Sequence, residues 1–393
     1  MADKAISFAS LLKKNLYKNR DILYDQKPPG SFLHRIDERN ELVVELMPIL
    51  LNSSFSYIFA YGTPGTGKTG LIMEVMEELQ GTAKKEGVGL SVVYINCSEN
   101  RTETTILLDI LGKINPEKEY PAMGWNKTQA TKEFISVVKE MKQHVIIVLD
   151  EVDYALKESG DDILMKLSRI NERAGKTVSS VIISNDVKVA DYIKPRTMSR
   201  FGRVKVIFPP YNADELYDIL KDRAGHAFKA GVVSDVILKK IGEIEGSRGG
   251  DARKALELLD ACAKVTISKG SDKISLEYVE SAEKSLEKDQ IIKVLTSLTR
   301  HQKILYLAIL KGDDKKKAGT GVFSQYKKDC KSYNETPLSE RRIRTFLVEF
   351  SELGLIESEV GWLKDLKKKN RKITITIGSS VKNKVRKLLR DSI

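Results

Sequence analysis

The chain has 393 residues, of which 41% are apolar, 66 are Lys or Arg and 54 are Asp or Glu. This length predicts two or three domains, and the apolar content, with 11 Phe and 14 Tyr, excludes a disordered chain. No apolar run approaches the roughly 18 residues of a membrane span, and the first residues lack a secretory layout. Cys97, Cys262 and Cys330 are scattered, which argues against a disulfide scaffold or a zinc site. We therefore expect a cytoplasmic protein without a membrane partner.

The net charge of +12 is concentrated in the last quarter of the chain. Residues 291–393 contain 24 Lys or Arg and 11 Asp or Glu, a balance of +13, whereas residues 1–290 contain 42 and 43. A neutral body with a basic end favours binding of a polyanion, above all nucleic acid, through that end. The alternative is a Lys-rich surface that only keeps the protein soluble.

Five short, β-branched apolar runs in the first half predict strands that are buried on both faces of a sheet. They are Phe55–Tyr61, Leu90–Asn96, Val145–Leu149, Val178–Ser184 and Val204–Phe208. Helical stretches separate them, for example Gly70–Leu79 and Thr131–Met141. This alternation predicts an α/β fold, a parallel sheet with helices on both faces.

The strand pattern ends at Pro209–Pro210. The following sequence, to residue 289, has only helical stretches: Ala213–Ala224, Val233–Ile244 and Asp251–Ile267. A third unit is predicted from about Gln290. The expected domains are therefore an α/β domain of residues 1–209, a helical domain of residues 210–289 and a basic domain of residues 290–393.

The phosphate-loop pattern GxxxxGK[ST] is matched by Gly62, Thr63, Pro64, Gly65, Thr66, Gly67, Lys68 and Thr69. It follows a predicted strand and precedes, from Gly70, a predicted helix, which is the context that the pattern requires. Glycines let backbone N–H groups curl around phosphate oxygens, and the helix N-terminus adds its positive end. Lys68 is expected on the β- and γ-phosphates and the Thr69 hydroxyl on Mg²⁺. The alternative is a tight glycine-rich turn without a ligand.

The third predicted strand is followed directly by Asp150 and Glu151. Ligands of open parallel sheets bind at the carboxyl ends of the strands, so this acidic pair is expected beside the phosphate loop. Asp150 is the candidate Mg²⁺ ligand, and Glu151 is the candidate general base for the attacking water. Alone, the pair would also be compatible with a solvated strand end.

Three further polar residues are candidates for the same site. Asn185 ends the fourth predicted strand, where it could contact the γ-phosphate and the lytic water, although Asn also favours ordinary turns. Arg200 and Arg253 could each neutralise charge on the transferred phosphoryl group. The alternative for either arginine is a surface ion pair.

Together these motifs resemble an AAA+ ATPase: GTPGTGKT, VLDEVD, ISND, SRFG and GDARKALELL occur in the expected order. The chain most resembles the archaeal origin-recognition initiators, relatives of the eukaryotic origin-recognition and cell-division-control ATPases. Leu33-His34-Arg35, Phe208–Tyr211 and Ile219–Arg223 resemble family motifs before the ATPase domain and at its junction with the lid. Pro121–Gly124 resembles the initiator-specific insertion.

The resemblance implies roles for several residues. Arg253 would be the lid sensor, Asn185 the first sensor, and Arg200 or Arg196 the finger that reaches a neighbouring subunit. Arg35, Tyr211 and Arg223 would lie near the bound ATP or ADP. The insertion, at about residues 101–130, would contact DNA. The implied architecture is a P-loop sheet, a helical lid and a C-terminal winged helix.

Residues 339–353 have the pattern of a recognition helix. Ile343, Phe346, Leu347, Phe350 and Leu353 form an apolar stripe, Ser339 is an N-cap candidate and Gly354 a C-terminal stop. Another face carries the candidate DNA-contacting residues Arg341, Arg342, Arg344 and Thr345. Helical stretches at 291–310 and 321–331 precede this helix.

A predicted hairpin at 357–376 and a basic helix at 380–390 follow, which completes a winged-helix order. The wing is expected to bind phosphates or enter the minor groove through Lys364, Lys367, Lys368, Lys369, Arg371 and Lys372. Family wings are often rich in Gly and Arg, whereas this wing is rich in Lys, which favours phosphate contact over base reading. The alternative is a helical protein-interaction domain.

We predict an ATP-dependent replication initiator that binds duplex origin DNA, with slow hydrolysis as a switch, and that is therefore nucleoid-associated. The resemblance implies the replicative helicase and paralogous initiator subunits as partners. Three alternatives remain: a clamp-loader-like subunit, a signalling ATPase of the STAND type, and a repressor that holds nucleotide structurally.

Overall fold

The computed structural model describes residues 15–51, 55–121, 123–175, 178–201, 204–311, 317–363, 368–377 and 379–393. The chain divides into two compact units, the first ending at Val279 and the second beginning at Glu280. In the parts of the chain that are described, no helix combines the length and the apolar character needed to cross a lipid bilayer.

The first unit contains a parallel sheet that confirms the predicted α/β fold. Its strands are β1 Tyr57–Tyr61, β2 Leu90–Asn96, β3 His144–Asp150, β4 Val178–Ser184 and β5 Val204–Ile207. They are arranged in the order β2-β3-β4-β1-β5. Because β3, β4 and β1 are neighbours, the segments that follow them meet at one edge of the sheet. That edge receives the phosphate loop, the acidic pair and Asn185.

Helices cover both faces of this sheet. They are α1 Ile36–Leu50, α2 Lys68–Lys85, α3 Glu103–Ile114, α4 Lys127–Glu140, α5 Val152–Ser159, α6 Asp162–Ala174 and α7 Pro195–Phe201. One apolar layer joins the sheet to α1 and α2, and the other joins it to α3 to α6. Each fully buried Leu, Ile or Val contributes about 1.5–3 kcal/mol, so the two layers fix the strand edge rigidly.

A side-chain cap explains why one helix begins earlier than the periodicity predicts. The helix expected to begin at Thr131 begins at Lys127, because Asn126 caps it and Gln129 returns a bond to the Asn126 backbone. Thr102 and Thr105 form the same reciprocal cap on α3. Such capping boxes satisfy N–H groups that would otherwise lack partners.

Three helices form the lid of the first unit. They are α8 Ala213–Ala227, α9 Asp235–Ser247 and α10 Ala252–Lys269. Two short 3₁₀ helices, Asp21–Leu23 and Val189–Tyr192, complete this unit. Asp251 caps α10 by accepting bonds from the backbone N–H groups of Arg253 and Lys254.

The second unit has the winged-helix order that the sequence predicts. Its elements are α11 Leu276–Ser297, whose first four residues belong to the first unit, α12 Arg300–Lys311, β6 Lys317–Ala318, α13 Gly319–Ser332, α14 Glu340–Glu352, β7 Ile356–Leu363, β8 Lys368–Ile375 and α15 Ser379–Ser392. The strands form an antiparallel sheet in the order β6-β8-β7. Helix α11 runs through Gln290 without a break, and the expected helix at 291–310 is interrupted at Leu298–Thr299. The exact domain boundaries stay predictions.

Helix α14 packs on the core of this unit through the predicted stripe, with one correction. Ile343, Phe346, Leu347 and Phe350 are buried, but Leu353 is 47% exposed. The helix ends at Glu352 and the chain turns away at Gly354, which has a φ of 67°. Leu353 therefore lies in the helix terminus and does not extend the stripe.

Candidate functional site

The phosphate loop connects β1 to α2 at the centre of the sheet edge. Gly65 and Gly67 have φ values of 75° and 85°, a region in which residues with a Cβ are strained. A Cβ on Gly65 would also lie 1.6 Å from Oδ1 of Asp251, the residue that caps α10. The sequence thus needs glycine at position 65 because the lid helix begins directly against the loop.

Lys68 is the first residue of α2, and its side chain is buried within the loop. Its Nζ donates to the carbonyl oxygens of Gly62 at 2.9 Å and Thr63 at 2.7 Å. Burial, and then the positive charge of Arg253, lower the pKa of Lys68 from 10.5 to about 8. A poorly solvated ammonium of this kind gains strongly from the approach of an anion.

The candidate magnesium ligands are in direct contact. Thr69 donates its hydroxyl to Oδ2 of Asp150 at 2.8 Å, and the Tyr94 hydroxyl donates to the same oxygen at 2.8 Å. Asp150 is 4% exposed. Thr69 and Asp150 offer the oxygen ligands that Mg²⁺ prefers, while Tyr94 restricts the orientation of the carboxylate.

Glu151 and Asn185 also meet, across the carboxyl ends of β3 and β4. Asn185 Nδ2 donates to Oε1 of Glu151 at 3.4 Å. Glu151 has a left-handed backbone, with φ 53° and ψ 39°, which costs about 1–2 kcal/mol for a residue with a side chain. Asp153 fixes the backbone at Asn185, because its Oδ1 accepts hydrogen bonds from the Ser184 hydroxyl at 2.9 Å and the Asn185 N–H at 3.2 Å.

A cavity of about 510 Å³ lies between the phosphate loop, the lid and the segment that precedes α1. Its lining includes Lys68, Thr69, Gly70, Asp150, Glu151, Asn185, Tyr211, Arg223 and Arg253. Arg253, in the first turn of α10, is largely exposed to this space. The volume is typical of a small-molecule site, and the glycine turns, the ammonium and the oxygen ligands fit a magnesium–nucleoside triphosphate.

Arg35 is buried between the phosphate loop and the start of the lid, and its place relative to nucleotide stays a prediction. It is 2% exposed and outside the cavity lining, because its guanidinium donates to the carbonyls of Thr66 and Pro209. Its guanidinium carbon also lies 3.8 Å from the ring centroid of Tyr211. Arg35 therefore links the phosphate loop to the start of the lid, and Tyr211 alone of this pair lines the cavity.

Arg223 lines the cavity, but its donors are directed to the protein backbone. It donates to the carbonyls of Ile22 at 2.7 Å, Asp25 at 3.0 Å and Lys27 at 3.3 Å. These bonds join α8 to the segment that precedes α1, and the contact of Arg223 with nucleotide stays a prediction. Gly62, Thr63 and Pro64 of the loop also lie outside the lining.

The two finger candidates differ in their surroundings on α7. Arg200 donates to Oε1 of Glu172 at 2.5 Å and to the Ser168 carbonyl at 3.2 Å. Arg196 is exposed one turn earlier. Neither lies in the lining of the cavity.

The region of the expected insertion consists of α3, α4 and the loop between them. In that loop Tyr120 and Trp125 pack with ring centroids 5.7 Å apart, and Lys118 lies over both rings. Met123 is 89% exposed at the tip. Ala122, within the motif Pro121–Gly124, lies outside the described residues.

The candidate DNA-contacting residues of α14 share one exposed face. Arg341, Arg342, Arg344 and Thr345 are all exposed, opposite the buried stripe. Four basic residues of the predicted wing belong to β8: Lys368, Lys369, Arg371 and Lys372. In the strand register, Lys372 lies opposite Glu359 of β7. Lys364 and Lys367 lie outside the described residues.

Sequence reasoning missed three residues of the site. Tyr94 and Asn96 both line the cavity from β2. Because side chains alternate along a strand, the two residues lie on the same face of β2, and the sequence could have shown this. Asp153 was visible within VLDEVD but not assigned a role. Its bonds to the β4 end depend on the packing of α5, which the motif does not encode.

Comparison with known families assigns all three modules. Residues 53–187 match the family model "AAA domain", residues 217–284 match "Cdc6 AAA+ ATPase-type lid domain" and residues 293–381 match "CDC6, C terminal winged helix domain". Together these matches confirm the predicted resemblance and architecture.

Curated relatives and solved structures agree with these matches. The chain is 36% identical to an ORC1-type DNA replication protein of Thermococcus onnurineus over 353 residues, covering 88% of this chain and 85% of the relative. It is 36% identical to that of Pyrococcus horikoshii over 360 residues, covering 90% and 86%. The ORC1 protein of Aeropyrum pernix, solved in complex with DNA, is 26% identical with a TM-score of 0.84, covering 96% and 97%. Cdc6p of Pyrobaculum aerophilum, at 23% identity and a TM-score of 0.60 over 96% and 99%, shares the fold.

Proposed function

The chain belongs to the family of ORC1-type DNA replication proteins, and we propose that it is an ATP-dependent initiator that binds duplex DNA at a replication origin. Its AAA+ ATPase-type fold supports nucleotide binding and hydrolysis in general. Slow hydrolysis that switches the protein between two states of DNA binding is the more specific part of the proposal.

At the proposed site, Lys68 and the loop N–H groups hold the triphosphate, and Thr69 and Asp150 hold Mg²⁺. When bound, Mg²⁺ supplies positive charge against the phosphate oxygens. Glu151 accepts the proton of the attacking water, and Asn185 keeps the Glu151 carboxylate oriented. Arg253 brings a positive charge from the lid, which makes the position of the lid depend on the phosphates.

The contact between Asn185 and Glu151 is the observation that supports hydrolysis most strongly. It brings a candidate base and its orienting amide together beside Lys68, at the edge where ligands of such sheets bind. A protein that held nucleotide only for structure would have no need of the strained backbone at Glu151.

For the second unit, we propose that α14 lies in the major groove and that the hairpin of β7 and β8 follows the phosphate backbone. The exposed arginines of α14 and the charge balance of +13 in residues 291–393 support this arrangement. Met123 and the loop that bears it are proposed as a second DNA contact. The replicative helicase and paralogous initiator subunits are the proposed protein partners.

If subunits assemble through nucleotide, Arg196 is the better finger candidate. Arg200 already pairs with Glu172, and its use in a neighbouring site would require that ion pair to break. Arg196 is exposed on the same helix and carries the same charge.

Footprinting of the full-length protein along an entire replicon tests the proposal. We expect protection concentrated at one or a few origin-like sites, with a pattern that changes between ATP and ADP. Uniform protection without preferred sites would contradict origin recognition. An identical footprint with either nucleotide would contradict the switch.

A further inference from the structure

The segment of residues 15–28, here called the N-terminal segment, is attached to the lid. Lys18 N–H donates to the Ala227 carbonyl at 2.8 Å, and Lys229 N–H donates to the Leu16 carbonyl at 3.0 Å. The rings of Tyr17 and Phe228 stack with centroids 4.9 Å apart. These contacts join the segment to the end of α8.

A fully buried carboxylate on α10 holds the same segment at its side chains. Asp260 is 0% exposed and accepts bonds from the Tyr17 hydroxyl at 2.9 Å and from the Tyr24 hydroxyl at 2.5 Å. Arg20 grips both of its oxygens, with Nε and Nη2 each at 2.8 Å. Paired ionic bonds of this fork geometry are among the stronger polar contacts in proteins. Although burial opposes ionisation, these hydrogen bonds hold the pKa of Asp260 well below its usual range.

Arg223 of α8 supplies a second attachment through the backbone. Its guanidinium binds three carbonyls of the segment, those of Ile22, Asp25 and Lys27. The lid therefore holds the segment at both its side chains and its main chain. Each of these bonds joins residues that are far apart in sequence.

The attached segment is also a wall of the nucleotide cavity. Leu23, Tyr24, Asp25, Gln26 and Pro28 all line it. Just beyond the segment, Phe32 lies against the phosphate loop, so close that a Cβ on Gly70 would meet its ring at 2.4 Å. One stretch of chain thus runs from the lid to the phosphate loop along the cavity.

We propose that Asp260 is a positioning residue that, through Arg20 and Tyr24, fixes this wall and so sets how fast bound nucleotide leaves. The inference rests on the proposed nucleotide binding and adds the control of release. Asp260 does not itself line the cavity, so its effect passes through the N-terminal segment. When a wall loosens, the ligand is held less tightly, and such weakening appears mainly in the dissociation rate.

Two cations that share Asp260 give a matched comparison. Arg20 lies in the N-terminal segment, and Lys264 lies on α10 beside Asp260, with its Nζ 2.7 Å from Oδ2. Their side chains are 44% and 58% exposed, so either can be replaced without leaving a cavity. Each replacement leaves the carboxylate with a cation and two hydroxyl donors, which keeps the fold intact.

The experiment measures release of a fluorescent ADP analogue from the full-length protein after a chase with unlabelled ADP. We expect Arg20→Ala to accelerate release about tenfold or more, and Lys264→Ala to stay within about twofold of the wild type. Arg20→Lys, which keeps the charge but loses the fork, should lie between them. Asp260→Asn should release fastest, and hydrogen exchange of amides 15–28 should rise in the same order.

Unchanged release from Arg20→Ala would overturn the inference while leaving the proposed function intact. Equal acceleration by Lys264→Ala would overturn it as well, because the effect would then come from the charge balance of Asp260 and not from the N-terminal segment. If the wild-type protein binds no ADP or ATP, the proposed function fails and the inference fails with it.

Discussion

The nucleotide site and the candidate DNA-binding face are built in opposite ways. At the nucleotide site, hydrogen bonds between residues far apart in sequence hold the Asp150 carboxylate, through Thr69 and Tyr94, and the backbone of Asn185, through Asp153. On α14 the arginines are exposed, and the contacts of Arg342 with the Phe346 ring and of Arg344 with Glu340 stay on the surface of that one helix. A site for chemistry needs fixed distances, whereas a surface for a polyanion needs charge at suitable spacing.

This difference predicts how each region responds to substitution. Removing one group from the nucleotide site should change one step by a large factor. Removing one charge from α14 should weaken DNA binding by a modest factor, and the free-energy losses from several such removals should add.

The largest effect is expected from Glu151→Gln. Loss of the candidate base should lower steady-state ATP turnover at least about 100-fold while ATP affinity stays within about threefold. Glu158→Gln, at an exposed position on α5, the helix that begins directly after Glu151, is the control and should keep turnover. Turnover of Glu151→Gln above a tenth of the wild-type rate would show that another group takes the proton.

The next largest effect is expected on DNA. Replacing Arg341, Arg342 and Arg344 together by Ala should weaken binding to duplex DNA about 10- to 100-fold. The salt dependence should also become shallower, by about 0.9 in log–log slope for each DNA phosphate that the variant no longer neutralises. The control removes equal charge from α15, at the exposed Lys384, Lys387 and Arg390. If both triple variants lose affinity equally, then DNA affinity depends on the total charge of the second unit, and α14 has no special role in binding.

A change of pH is expected to have an intermediate effect, on the affinity for ADP. Because Lys68 titrates at about pH 8 in the folded protein, its ammonium is lost as pH rises through that value, and affinity for the polyanionic nucleotide should fall with it. Calorimetry should show ADP binding weaker by about eightfold at about pH 9 than at about pH 7.5. Lys68→Arg, whose charge persists, should give a flat profile. A flat profile in the wild type would argue against a phosphate contact by Lys68.

The smallest effect is expected from Tyr94→Phe. Without the Tyr94 hydroxyl, Asp150 is still held by Thr69, so the Mg²⁺ concentration for half-maximal turnover should rise only about three- to fivefold. Tyr154→Phe, at an exposed position on α5, serves as the control. An unchanged Mg²⁺ requirement would mean that Tyr94 does not orient the carboxylate.

The sequence predicted those features that local pattern encodes. The five strands, the phosphate loop, the acidic pair and the stripe on α14 follow from periodicity and from glycine spacing, and the structure has them within a few residues. Helix beginnings were less accurate, because caps such as Asn126 act outside the apolar pattern. Leu353 is exposed because α14 ends at Glu352, one residue earlier than the periodicity predicted.

Contacts between distant parts of the chain were beyond the reach of sequence patterns. Arg20 and Asp260 are separated by 240 positions, and neither belongs to a motif. The bonds of Arg35 and Arg223 also depend on which backbone carbonyls the fold brings near these two guanidinium groups. Pattern identifies residue types that suit a site, and packing decides which of them face the ligand.

Duplex-DNA affinity of the full-length Glu151→Gln protein, measured in saturating ATP and again in saturating ADP, tests the central claim most directly. We expect binding at least about threefold tighter with ATP, because we propose that the nucleotide held by the first unit governs how the basic second unit binds DNA. Equal affinities in the two nucleotide states would contradict it.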